Sequence, residues 1–254
     1  MSRARVPLAL AVVLVLGAGC SHSTSERTAP SQPAPTASTP STSSSAPGLA
    51  SPSPSPLPAR FVGTVSRLPS DLRAEMHGTT WHRGCPVPLG DLRLLTLRYW
   101  GFDGEVHEGP LVVNVSVAHD VVGVFRTIFE ARFPVADLVL SKKFRPNPDP
   151  NTKQSETGAF NCRPIVTPAG PGTTMSMHSY GLAIDVNTLQ NPYVATDGYV
   201  RNRYARPYRD RSQNLPGMIH DGDVVVRAFA AIGWEWGGDW SSGKDYMHFS
   251  VNGR

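Results

Sequence analysis

The chain has 254 residues, 40% of them hydrophobic, and a formal net charge of +4 at pH 7. That length allows one large domain or two small ones. The charge is mild, and the sequence holds no basic run suited to nucleic acid, no glycine-rich phosphate loop and no internal repeat.

In chain order, residues 1–20 read as an export signal: Arg3 and Arg5 make a basic start, and "LALAVVLVLGAG" is apolar but short for a bilayer span. "LGAGC" resembles a bacterial lipobox, with Gly17 where a larger aliphatic is usual. Cys20 is therefore the expected lipidation site, and ordinary signal cleavage nearby is the alternative. Twin arginines are absent, which points to the general secretion route. Residues 21–59 are almost entirely Ser, Thr, Pro and Ala, closing on "SPSPSPLP". Such a segment cannot bury enough apolar surface to offset its ordering entropy, so it reads as a disordered tether. A folded domain is expected over residues 60–254, with its core from about residue 90. The expected location is the outer face of the cytoplasmic membrane through a lipid anchor, or outside the cell. With Cys20 set aside, Cys85 and Cys162 remain. Two cysteines in an exported domain are expected to pair as a disulfide; two buried thiols are the alternative.

"LRLLTLRYWGFDGEVHEGPLVVNVSV" predicts two strands joined by a turn at Gly101, Asp103 and Gly104. In "VAHDVVGVFRTIFEARF", Val121, Val122, Phe125, Ile128 and Phe129 recur at helical spacing, and Pro134 stops the helix. "ADLVLSKKF" predicts a strand, followed by a polar loop from Arg145 to about Met177. "GLAIDVN" predicts a strand, and an Arg- and Tyr-rich loop runs from Thr188 to Gly222. "DVVVRAFAAIGW" predicts the second helix, and "GWEWGGDW" and "DYMHFSV" close the domain. Helices and strands mix without regular alternation, so the class is α+β.

An acid inside the apolar run Leu182-Ala183-Ile184 needs a partner, because burying a lone carboxylate is costly. Strand alternation puts Leu182, Ile184 and Val186 on one face and Asp185 on the other. Treated the same way, "YMHFSV" puts His248 opposite Met247 and Phe249. If these strands are neighbours, Asp185 and His248 share a polar face, and Gly181 lets the chain turn His178 toward them. Two imidazoles and one carboxylate with an open position suit a single catalytic zinc ion. Asp245 is the candidate base, and it must sit on a turn entering the last strand to reach the metal.

"SMHSYGLAID" with "DYMHFS" resembles the D-Ala-D-Ala carboxypeptidase/VanY-type zinc metallopeptidases, and its Asp and "WGGDW" resemble their endopeptidase-like branch. The family pattern falls on Ser176, His178, Asp185, Asp245 and His248. The resemblance implies a Hedgehog/DD-peptidase fold, an antiparallel sheet flanked by helices. It also implies zinc-dependent hydrolysis of peptidoglycan stem peptides, either as a D,D-carboxypeptidase or as an L-Ala–D-Glu-type endopeptidase. His178, Asp185 and His248 would be the metal ligands and Asp245 the general base. It further implies an arginine at the scissile carbonyl, for which Arg163 is the first candidate and Arg145 the second. Ser176 and Trp236 are candidate substrate-binding residues. A monomer with no nucleic-acid partner is expected. The competing class is a non-catalytic, zinc-containing wall-binding module on the same fold. The Arg201–Arg211 cluster reads as a solvated loop, or as a contact for stem-peptide carboxylates.

Overall fold

The computed structural model describes residues 59–140, 151–167 and 170–254, all within the unit Ser55–Arg254. The predicted signal with Cys20, the linker up to residue 58, and Arg145 lie outside the described residues. No helix among the described residues is long and apolar enough to cross a membrane.

The first sheet is antiparallel and has the order β1 (Gly63–Arg67), β2 (Leu92–Trp100), β3 (Val106–Asn114). β2 and β3 form the predicted hairpin, closed by Gly101–Glu105, with Gly104 at φ 78°. Leu95, Leu97 and Tyr99 alternate inward along β2 and meet α2 (Ala118–Glu130). α2 turns Val121, Phe125 and Ile128 to the same side, as their spacing requires. The helix stops ahead of Pro134, where Arg132 takes φ 53°.

The second sheet has the order β10 (Glu235–Trp236), β12 (His248–Ser250), β8 (Ala183–Asp185), again antiparallel. Ile184, Val186 and Phe249 lie on its apolar side and join α2, α3 (Val224–Ala230) and the first sheet in one core. Phe229 stacks on Phe249 with centroids 4.2 Å apart. Full burial of each such side chain stabilises the fold by about 1.5–3 kcal/mol. A smaller cluster lies under α1 (Ser70–Met76) and combines Leu72, Met76, Leu89, Leu92, Phe160 and Cys162. Cys85 and Cys162 form a disulfide across 77 residues of sequence.

Three expectations change. Among the described residues of "ADLVLSKKF", 136–140, the strand is β4 (Asp137–Leu138), which pairs in parallel with the equally short β5 (Glu156–Thr157). The stretch read as a loop up to Met177 contains an antiparallel hairpin, β6 (Pro164–Thr167) and β7 (Gly170–Met175). Pro164 opens β6, a position where a missing N–H is tolerated. β1 and α1 precede residue 90, so the fold begins earlier than the hydrophobic pattern indicates.

Candidate metal centre

The "SMHSYG" segment folds as a 3-10 turn, Met177–Tyr180. Ser176 caps it, its Oγ accepting from His178 N at 3.4 Å. Gly181 ends it at φ 68°, and a Cβ there would stand 2.6 Å from Asn114 N. Only glycine fits both constraints. Asn114 N in turn donates to Gly181 O at 2.9 Å, and Asn114 Nδ2 to Tyr180 O at 3.0 Å. The end of β3 thus fixes the turn that carries His178.

β8 begins two residues after Gly181, and its register with β12 sets Asp185 directly opposite His248. The three side chains converge. His178 Nε2 lies 3.2 Å from Asp185 Oδ1 and 3.3 Å from His248 Nδ1, and His248 Nδ1 lies 3.1 Å from Asp185 Oδ1. His178 Nδ1 is 2.7 Å from the carbonyl oxygen of Ala159, which can only accept. The neutral ring therefore carries its proton on Nδ1 and presents a lone pair at Nε2. Three electron-rich atoms this close require a cation or a proton among them. A four-coordinate zinc with bonds of roughly 2.0–2.1 Å sets its donors about 3.3–3.4 Å apart, close to the edges of this triangle. His248 Nε2 is buried without a hydrogen bond. The donor set of His178 Nε2, Asp185 Oδ1 and His248 Nδ1 fits a zinc ion by its spacing and its chemistry.

The electrostatics agree. Without a metal, burial, the largest influence on Asp185, favours its neutral form, yet the charge and hydrogen bond of a protonated His178, then of His248, hold it well below the usual carboxylate range. Burial disfavours charge on His248 as well, but the Asp185 hydrogen bond and charge, then the Asp245 charge, raise its pKa.

Asp245 does not enter on a turn, as expected, but on a strand of its own. β11 (Lys244–Asp245) pairs with β9 (Tyr193–Val194), and Tyr246–Met247 form the turn into β12. That turn breaks the alternation that would face Asp245 away. Gly237 makes room for the strand, because a Cβ there would lie 2.5 Å from Asp245 O. Asp245 Oδ1 is buried with no hydrogen-bond partner. Desolvation, then repulsion from Asp185, pushes its carboxyl up to about 7, against smaller pulls from His248 and Arg163.

Arg163 is half-buried and close enough for its charge to act on Asp245. Its backbone is clamped by Ser179: Arg163 N donates to Ser179 Oγ at 2.8 Å, and Ser179 Oγ donates back to Arg163 O at 2.7 Å. The neighbouring Cys162 is tied to Cys85, so the segment that supplies Ala159 O and Arg163 is covalently anchored. Trp236, expected to touch substrate, is 5% exposed and stacks on Phe249 in the core. Its Nε1 donates to Tyr246 O at 2.9 Å, which secures the turn after Asp245. Ser176 is also buried and acts on His178 rather than facing outward. Trp240 stays half-buried beside His248, ring centroids 5.9 Å apart.

Several positioning groups escape sequence reading. Ala159 acts through its carbonyl and Ser179 through backbone contacts, so neither leaves a motif. Asn187, buried at φ 51°, accepts from Ala136 N and donates to Pro134 O and Gly217 O. Arg211 departs from its solvated cluster. Its guanidinium donates to Gln190 O, Tyr208 O, Asn191 Oδ1 and Ile219 O and lies 4.3 Å over the Tyr246 ring.

The sequence that carries this cluster is matched by a known family and by a known protein. The family profile described as D-alanyl-D-alanine carboxypeptidase matches residues 169–251. Peptidoglycan L-alanyl-D-glutamate endopeptidase CwlK of Bacillus subtilis (strain 168) is 38% identical over 172 residues, covering 65% of this chain and 93% of CwlK. No solved structure gives a significant match. The chain belongs to the D-alanyl-D-alanine carboxypeptidase family of peptidases.

Proposed function

We propose that the chain is a zinc-dependent peptidase of peptidoglycan stem peptides that cuts inside the stem at an L-alanyl–D-glutamate bond. His178, Asp185 and His248 would hold one zinc ion, and Asp245 would be the general base. The observation that carries the reading is the triangle of donor atoms, 3.1–3.3 Å on each edge, beside a buried and unpaired Asp245 oxygen. The bond specificity rests on the likeness to CwlK. The family description favours a second reading, removal of a terminal D-Ala.

When bound, the ion supplies Lewis-acid polarisation and acidifies water. The chain's own groups do the rest. Ala159 O fixes the His178 tautomer so that Nε2 faces the metal position. Asp245 takes a proton from the attacking water and returns it to the leaving amine nitrogen as the peptide bond breaks. Burial raises the proton affinity of this carboxyl, which suits a group that must take a proton and then return it. The Arg163 guanidinium donates to the carbonyl oxygen as negative charge develops there. The remaining organisation belongs to the same proposal: a Hedgehog/DD-peptidase fold, an export signal ending at a lipidated Cys20, a Ser/Thr/Pro-rich linker, and a monomeric domain at the cell envelope. A non-catalytic wall-binding module would keep the metal ligands but would not need Asp245.

Digestion of purified muropeptides, read by mass spectrometry, tests this. A new L-Ala product with an N-terminal D-Glu fragment is expected, abolished by chelator and restored by zinc. Loss of D-Ala alone supports the carboxypeptidase reading. Zinc uptake without hydrolysis removes the enzyme.

A further inference from the structure

The loop between β9 and α3 carries a second feature that the peptidase chemistry does not use. Residues 195–211 hold five arginines against two aspartates, a net of +3 in a chain whose whole net charge is +4. Arg211 is half-buried, but Arg201, Arg203, Arg206 and Arg209 are all exposed. None of the four forms an ion pair with a carboxylate among the described residues. The two aspartates are engaged locally: Asp197 accepts from Tyr199 N, and Asp210 from Ser212 N and Oγ. The lobe is ordered around these cations. Arg206 Nε donates to Val200 O, Arg209 donates to Gly198 O, and Lys153 joins from a neighbouring segment over the Tyr204 ring at 5.2 Å.

We propose that this lobe is a docking surface for a linear phosphodiester polymer of the cell wall, a polyol phosphate. The choice of a wall polymer rests on the proposed action at peptidoglycan. Four guanidiniums without a carboxylate ion pair, spread along nine residues, match repeated charges better than one small anion, and their planar forks suit phosphate oxygens. The surface does not suit a membrane: Val200 and Ala205 are buried, and Tyr199 is the one large hydrophobic residue of the lobe that is exposed. It does not suit base stacking either, because Tyr204 is already covered by Lys153 and by Arg203, 4.7 Å from its ring centroid.

The test is fluorescence anisotropy of the full chain with a labelled oligo(glycerol phosphate). Comparison arms are poly-D-glutamate, a single-stranded DNA oligomer and phosphatidylglycerol vesicles. Neutralising four phosphates gives a log–log salt slope of roughly −3, a weakening of about 50-fold between 50 and 200 mM salt. The double variant Arg201→Gln, Arg203→Gln removes two of the four contacts, and should halve that slope and weaken binding at 50 mM salt by about 60-fold. It should leave hydrolysis of soluble muropeptides unchanged. The Arg201→Lys, Arg203→Lys variant should keep most of the affinity, which separates charge from folding. The proposal is overturned by no binding at 50 mM salt, by equal or tighter binding to poly-D-glutamate, DNA or vesicles, or by wild-type affinity in the double variant. The assay needs no turnover, so it fails independently of the peptidase reading.

Discussion

Asp245→Asn separates the cost of burying a charge from its chemical use. The Asp245 carboxyl is displaced from 3.8 to about 7, first by desolvation and then by Asp185. A raised carboxyl means that the folded chain binds more protons than the unfolded one between those two values. Stability therefore falls as pH rises from about 4 to about 7, and above that the full penalty applies. Roughly three pH units at about 1.4 kcal/mol each set a ceiling near 4 kcal/mol. Asparagine is neutral at every pH and escapes that penalty. In chelator-treated protein at pH 8, Asp245→Asn should therefore melt higher than wild type, by about 10 °C at the ceiling. At pH 4 the two should coincide. With zinc present the gap should close, because a nearby cation stabilises the ionised carboxylate. The same variant should bind zinc and lose activity by about 10²–10⁴-fold. Wild-type kcat/KM should rise with pH through a limb at or below 7, since the cation pulls the Asp245 value down. Differential scanning fluorimetry across pH, with and without chelator, reads the stability half of this. A metal-free Asp245→Asn protein no more stable than wild type at pH 8 would refute the reasoning.

The remaining predictions concern the groups that hold the centre in place. Ser179→Ala strips both clamping bonds from the Arg163 backbone and should cost about 1–3 kcal/mol in urea unfolding, with a fall in kcat larger than any change in KM. Gly181→Ala forces a side chain into φ 68° and against Asn114 N, and should destabilise by at least about 1–3 kcal/mol with reduced zinc affinity by titration calorimetry. Removing the disulfide with Cys85→Ser, Cys162→Ser frees a loop of 77 residues and should lower stability by about 4 kcal/mol in chemical denaturation.

Much of this architecture is legible in the sequence, for identifiable reasons. The β2–β3 hairpin and α2 carry long, regular apolar spacing, and Gly101–Gly104 marks the turn. α3 is shorter, but its apolar face is continuous and Gly233, at φ 78°, lies in the turn that follows it. The convergence of Asp185 with His248 follows from alternation along two short strands that turn out to be register partners. Other parts leave no such trace. "GTVSR" has one large apolar residue, so β1 is invisible until β2 is there to pair with it. β6 and β7 are masked by Pro and Gly, which usually mark loops but here sit at strand starts and edges. Asp245 could not be placed from alternation because the two-residue turn at Tyr246–Met247 interrupts the pattern. Trp236 reads equally well as a cleft wall or a core side chain, and only packing on Phe249 decides for the core. Ala159 is the clearest limit, since a carbonyl oxygen contributes the same atom whatever the side chain is.

The central claim is that His178, Asp185 and His248 together hold one divalent cation. Metal analysis by inductively coupled plasma mass spectrometry on the zinc-incubated, desalted full chain tests it most directly, alongside His178→Ala and His248→Ala. One zinc per wild-type chain, and almost none in either variant, is the predicted result. A folded wild-type chain that retains no zinc, or variants that retain as much as wild type, would contradict it.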